Sequence, residues 1–119
     1  MLIYLASPYS SPNHEIMEER FKTVCKVAGM LMQKGYLIFC PIAHSHPIAV
    51  VGGLPREWEY WAEYDRVMIT ACDEVLVCCI PGWRESAGVT AEILMAEQFG
   101  MPVKYLDPVT LTVMDRGAF

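Results

Sequence analysis

Short apolar runs separated by amphipathic segments constrain this chain more than any other feature. Leu2–Ala6 (LIYLA) and residues 36–40 (YLIFC), 74–80 (EVLVCCI) and 101–106 (MPVKYL) are strand-length, and their apolar content suits a sheet covered on both faces. The segments between them have helical periodicity. Residues 14–34 place Met17, Phe21, Val24, Ala28 and Leu31 on one stripe, with Asn13 as N-cap and Gly35 as stop. Residues 55–72 open with Pro55, a favoured first helical residue, and residues 86–100 form a third helix. Residues 7–13 (SPYSSPN) and 81–85 (PGWRE) are turn-rich loops, and 41–54 (PIAHSHPIAVVGGL) is expected to be the longest irregular stretch.

The resulting order is βαβαβαβ, with a short added strand allowed at 110–114. It predicts an α/β single domain over 1–119: a flavodoxin-like or Rossmann-like sandwich whose four- to five-stranded, mostly parallel sheet carries helices on both faces. In such sheets ligands bind beyond the carboxyl ends of the strands, where the loops 7–13, 41–54 and 81–85 emerge.

Composition narrows the function. The 119 residues suffice for one domain, and 54% hydrophobic with 19% charged residues supports a core. A net charge of −5 and a pI near 5.1 argue against a nucleic-acid polymer as partner, which needs a basic footprint. The odd set of cysteines (Cys25, Cys40, Cys72, Cys78, Cys79) is not a disulfide framework, and adjacent Cys78 and Cys79 would point to opposite faces of a strand. No run is apolar enough to span a bilayer and no signal peptide precedes the first strand, so a cytoplasmic protein without membrane attachment is expected.

Two carboxylates sit where carboxylates are costly. On the 86–100 helix, Val89, Ile93, Met95, Ala96 and Phe99 form an apolar arc with Glu92 in its middle, while Glu97 and Gln98 lie opposite. On the 55–72 helix, Asp65 sits at the centre of an arc of Trp58, Trp61, Ala62, Tyr64, Met68, Ile69 and Cys72. Neither acid has a Lys or Arg three or four residues away. Burying an unpaired carboxylate costs several kcal/mol or raises its pKa, so the pair points to a site. The alternative is that each acid caps a loop or terminates a helix.

The remaining candidates cluster at the loops. GxGxxG and GxxxxGK[ST] are both absent. Ser86, Ala87 and Gly88 open a helix with a hydroxyl, free N–H groups and a close-approach glycine, a cradle for phosphate or carboxylate to which Arg84 could add charge; ordinary capping by Ser86 is the alternative. Cys40, His44 and His46 lack a fourth ligand and match no standard zinc spacing, so no metal or cofactor is expected, and His44 and His46 are expected to touch substrate or be solvated. Trp58, Trp61 and Tyr64 suit core or interface, with stacking on a base as the functional reading. Tyr9 could position a ligand and Tyr4 is expected to pack.

Tyr4-Leu5-Ala6-Ser7-Pro8-Tyr9, Asp65 ahead of Ala71-Cys72-Asp73, and Ser86-x-Gly88-Val89-Thr90-x-Glu92 together resemble the nucleoside 2-deoxyribosyltransferase superfamily, closest to its short bacterial and phage members, over about residues 1–106. The resemblance implies Glu92 as nucleophile, Asp65 as the acid assisting the leaving base, and Ser7 to Ser10 touching sugar or phosphate. Ser7 replaces a usual glycine. Ser86 stands where the transferases carry an aspartate and the related nucleotide N-hydrolases a phosphate-contacting serine. It also implies a homo-oligomer, dimer or tetramer. The function expected is N-glycosidic cleavage of a small-molecule nucleotide or nucleoside, with nucleoside 5′-monophosphate hydrolysis favoured over deoxyribosyl transfer. The alternatives are a non-catalytic nucleotide sensor, an NAD glycohydrolase, or a structural subunit in which the two acids form interface pairs.

Overall fold

The computed structural model describes residues 1–115, and residues 116–119 of the expected domain lie outside the described part. Its elements are β1 (Leu2–Ala6), α1 (His14–Gln33), β2 (Leu37–Phe39), α2 (Pro41–Gly52), α3 (Trp58–Thr70), β3 (Glu74–Cys78), α4 (Ala87–Gln98), β4 (Val103–Leu106) and β5 (Val113–Met114). The sheet order is β2-β1-β3-β4-β5. β1 runs parallel to both β2 and β3, β3 parallel to β4, and only β5 is antiparallel. The chain is therefore α/β with a five-stranded, mostly parallel sheet, and its strand order reverses direction between β1 and β3.

Burial on both faces explains why the strands read as continuous apolar runs. Ile3, Leu5, Ile38, Leu76 and Cys78 face one way and pack under Val24, Val27, Ala28 and Leu31 of α1. Tyr4, Ala6, Val75, Val77 and Cys79 face the other way and meet Ile69, Val89 and Ala96 of α3 and α4. Cys78 and Cys79 do point to opposite faces, and all the cysteines are free. Asn13 caps α1 by accepting from the Glu15 N–H at 2.8 Å, as its position suggests. Phe21 is only half-buried, because its ring stacks on His46 rather than entering the core.

The expected irregular stretch at 41–54 is corrected: most of it is α2. Pro41 occupies the first turn, where its missing N–H costs nothing, and Gly53 closes the helix with φ 68°. Pro41, Ser45, His46 and Ala49 form its buried side, against α1 and β1. Polar residues on the buried stripe and Pro47 in the interior hide the helical period. The crossover from β2 to β3 thus contains both α2 and α3. Among the described residues no helix is long and apolar enough to cross a membrane.

Candidate functional site

A cavity of about 360 Å³ opens at the carboxyl ends of β1 and β3, where the strand order reverses. Four segments build it. The β1 exit contributes Ser7, Tyr9 and Ser10; α2 contributes Ile42 and Ser45; the α2–α3 loop and α3 contribute Arg56, Trp58, Trp61 and Asp65; the start of α4 contributes Ser86, Gly88 and Glu92. Of the residues expected at the site, Ser7, Tyr9, Ser10, Asp65, Ser86, Gly88 and Glu92 meet here.

Glu92 is 4% exposed and Asp65 7%. α4 aims Glu92 inward because Val89 and Ala96, on the same helical stripe, are the residues that seat α4 on the sheet. Ile69, one turn beyond Asp65, does the same for α3. Tyr4 projects from β1 on the α3 and α4 side of the sheet and donates its hydroxyl hydrogen to Glu92 Oε2. Tyr4 was expected to pack; it packs and also holds the carboxylate. A tyrosine among the apolar residues of a buried strand is the signal, because a fully buried phenol needs a partner. Glu92 Oε1 and the Asp65 carboxyl have no hydrogen-bond partner among the described residues.

Burial dominates the electrostatics. It pushes the Asp65 carboxyl up to about 7. It pushes Glu92 up to about 8, with the nearby Asp65 charge adding to the rise and the Tyr4 hydrogen bond opposing it. Tyr4 is raised well above the usual phenol range by burial, then by Glu92 and Asp65. The two carboxyls titrate as a coupled pair around neutral pH, so a proton donor and a carboxylate can coexist in one poorly solvated cavity.

Ser7 adds an unpaired group. It is 5% exposed, and its hydroxyl is a buried polar atom without a hydrogen-bond partner. Such a hydroxyl costs about 1–3 kcal/mol unless water or a ligand in the cavity satisfies it. Ser86 does cap α4, accepting from the Val89 N–H at 3.2 Å, which leaves its own hydrogen available to the cavity. Gly88 keeps the wall open: a Cβ there would meet the Trp58 ring at 3.5 Å.

Three expected contacts lie elsewhere. His44 is exposed and stacks on Tyr64, whose hydroxyl lies 2.8 Å from His44 Nε2. Arg84 lies over the Trp83 ring, 4.7 Å from its centroid, beyond the cavity lining. His46 is buried behind the wall, with Nδ1 2.6 Å from Tyr9 Oη and Nε2 2.7 Å from Glu18. The helical turn of α2 separates the fates of His44 and His46, whereas a loop would have let both face the site. Arg56, Glu57, Glu59 and Glu85 line the cavity mouth and were missed. Their segments look like ordinary solvated surface in the sequence. Among the described residues no group of three or more His, Cys, Asp or Glu is placed to hold a metal.

No curated protein matches the chain. Residues 1–107 match the model of the family described as a domain of unknown function (DUF1937), and the chain belongs to that family.

Proposed function

We propose that the protein cleaves the N-glycosidic bond of a nucleoside 5′-monophosphate, with Glu92 as nucleophile and Asp65 as the acid that protonates the leaving base. The observation that carries this reading is the pairing of two buried carboxyls in one cavity, with Glu92 steered by Tyr4. Cleavage builds positive charge at C1′ and negative charge on the departing base. A carboxylate in a poorly solvated site stabilises the first, and a protonated acid relieves the second. In the protein alone, burial favours the proton on Glu92. A cationic centre beside Glu92 and a basic ring nitrogen beside Asp65 would reverse that order.

The rest of the cavity suits a ligand of that class. Its volume is near the lower end of the range of about 300–1,000 Å³ for small-molecule sites, closer to a mononucleotide than to a dinucleotide such as NAD. Trp58 and Trp61 offer faces for a base. The Ser86 hydroxyl and the N-terminus of α4 offer donors for a phosphate. The resemblance of these motifs to the nucleoside 2-deoxyribosyltransferase superfamily supports the same chemistry. A second reading, action on an uncharged nucleoside with or without transfer to another base, is favoured by Glu57, Glu59 and Glu85 at the mouth, which oppose an anion. Action in the cytoplasm and as a homo-oligomer belong to the same proposal.

The test is a panel assay for free base released from ribo- and deoxynucleoside 5′-monophosphates and the matching nucleosides, with NAD included. Release by wild type and loss in Glu92→Gln supports the reading, and the preferred member separates the two substrate classes. Tight binding without release from any member, with or without an acceptor base, would replace it by a sensing module.

A further inference from the structure

The cavity wall contains a hydrogen-bonded chain that the two carboxyls do not use. Tyr9 lines the cavity and is 8% exposed. Its Oη lies 2.6 Å from His46 Nδ1, and His46 Nε2 lies 2.7 Å from Glu18 Oε2. His46 is 3% exposed, and its ring is fixed by stacking on Phe21 at 4.2 Å between centroids.

The Glu18 contact selects the tautomer of His46. Glu18 accepts from Nε2, and in the tautomer that this bond selects His46 presents a lone pair at Nδ1. In that tautomer Tyr9 donates its own hydrogen to His46. The Tyr9 oxygen keeps its lone pairs for accepting. Burial raises the Tyr9 phenol above its usual range, and the charge and hydrogen bond of Arg56, which also lines the cavity, oppose that rise. The backbone that follows is held as well: Arg20 donates to the carbonyls of Tyr9 at 3.3 Å and Ser10 at 3.1 Å. A Cβ at Gly82, where φ is +95°, would lie 2.6 Å from the Arg20 guanidinium, so the glycine leaves room for that clamp.

We propose that Glu18, His46 and Tyr9 form the general-base relay that activates water against the glycosyl-enzyme, a role that rests on the N-glycosidase reading above. An acceptor oxygen backed by imidazole and carboxylate repeats the logic of a nucleophile–His–acid triad, with a phenol passing the proton. In the step, water gives a proton to Tyr9 Oη as the Tyr9 proton moves to His46 Nδ1. The water electron pair forms the bond to C1′. The bond from C1′ to Glu92 Oε1 breaks, and its electrons return to the Glu92 carboxylate. The imidazolium charge rests against Glu18, and its proton then leaves to solvent through Tyr9.

The test is rapid-quench kinetics on the nucleoside 5′-monophosphate that wild type turns over fastest, with Tyr9→Phe and Glu18→Gln compared. Tyr9→Phe keeps the ring and removes only the hydroxyl, and Glu18 is half-exposed, which protects folding in both variants. Tyr9→Phe should release one base per active site in a burst and then turn over about 100-fold or more slower, the range of a lost general base. Azide, which needs no deprotonation, should restore its turnover by forming the glycosyl azide. Glu18→Gln should slow the same phase less. Steady-state turnover by Tyr9→Phe within about twofold of wild type, or burst and turnover falling together without azide rescue, would overturn the relay. A wild type inert across the panel would instead overturn the N-glycosidase reading and the relay with it.

Discussion

At the scale of single residues, the site rests on carboxyls held where water cannot easily reach them. Tyr4→Phe leaves Glu92 Oε2 without its donor. Losing a buried bond to a charged acceptor costs about 1–3 kcal/mol, so turnover should fall roughly 10–100-fold. Because the Tyr4 bond lowers Glu92, its loss should also move the acid limb of the pH–rate profile upward. A pH–rate series on the variant checks both. The Glu92 and Asp65 anomalies were legible in the sequence, because a carboxylate inside an apolar helical arc without a nearby Lys or Arg is visible by spacing alone. The Tyr4 contact was not, since it joins residues 88 apart and only the strand register brings them together. Arg56 was hidden for a similar reason: a charged residue before a helix is ordinary until the fold turns that loop toward a cavity.

At the scale of elements, α4 carries the clearest predictions. Ser86→Ala removes the N-cap and should destabilise the protein by about 1 kcal/mol in urea unfolding. Gly88→Ala should do the opposite, stabilising α4 by about 0.5–1 kcal/mol, because alanine is the better helix residue and the contact with Trp58 is of ordinary length. It should nonetheless weaken substrate binding by narrowing the cavity beside that ring. Gly29→Ala in α1, with nothing within 4 Å of the added Cβ, is the control: the same stabilisation with kcat and KM unchanged. Equal loss of binding in both variants would remove the steric account of Gly88. The α1 and α4 caps were legible from Asn13 and Ser86, whereas α2 was not. Its Pro41 and Gly53 are proper helix punctuation, but Pro47 and the alternating histidines imitate a loop. The structure makes a helix there because β2 delivers the chain directly onto the flank of α1, where Ser45, His46 and Ala49 can be buried.

At the scale of the molecule, the buried pair should impose a pH dependence on folding. Folded Asp65 and Glu92 hold protons up to about 7 and about 8, whereas the unfolded chain releases them near 3.8 and 4.5. Between those limits the folded state binds more protons, so their contribution to stability is fully present below about pH 4 and is lost as pH rises through 7 to 8. The double variant Asp65→Asn/Glu92→Gln should therefore gain stability over wild type as pH rises from 5.5 to 8.5, by several degrees in Tm, on the order of 2–4 kcal/mol. A gap between the two proteins that stays constant with pH would mean the carboxyls are not raised. The parallel order and switch point followed from the strand–helix alternation, and the sheet's placement of β1 beside β3 turns that order into a cavity. The central claim is that Glu92 attacks C1′. Its most direct test is mass spectrometry of protein quenched during turnover of a nucleoside 5′-monophosphate and digested. A glycosyl mass on the peptide carrying Glu92, absent from Glu92→Gln, is the predicted result; undiminished turnover by Glu92→Gln, or the adduct on another residue, would contradict it.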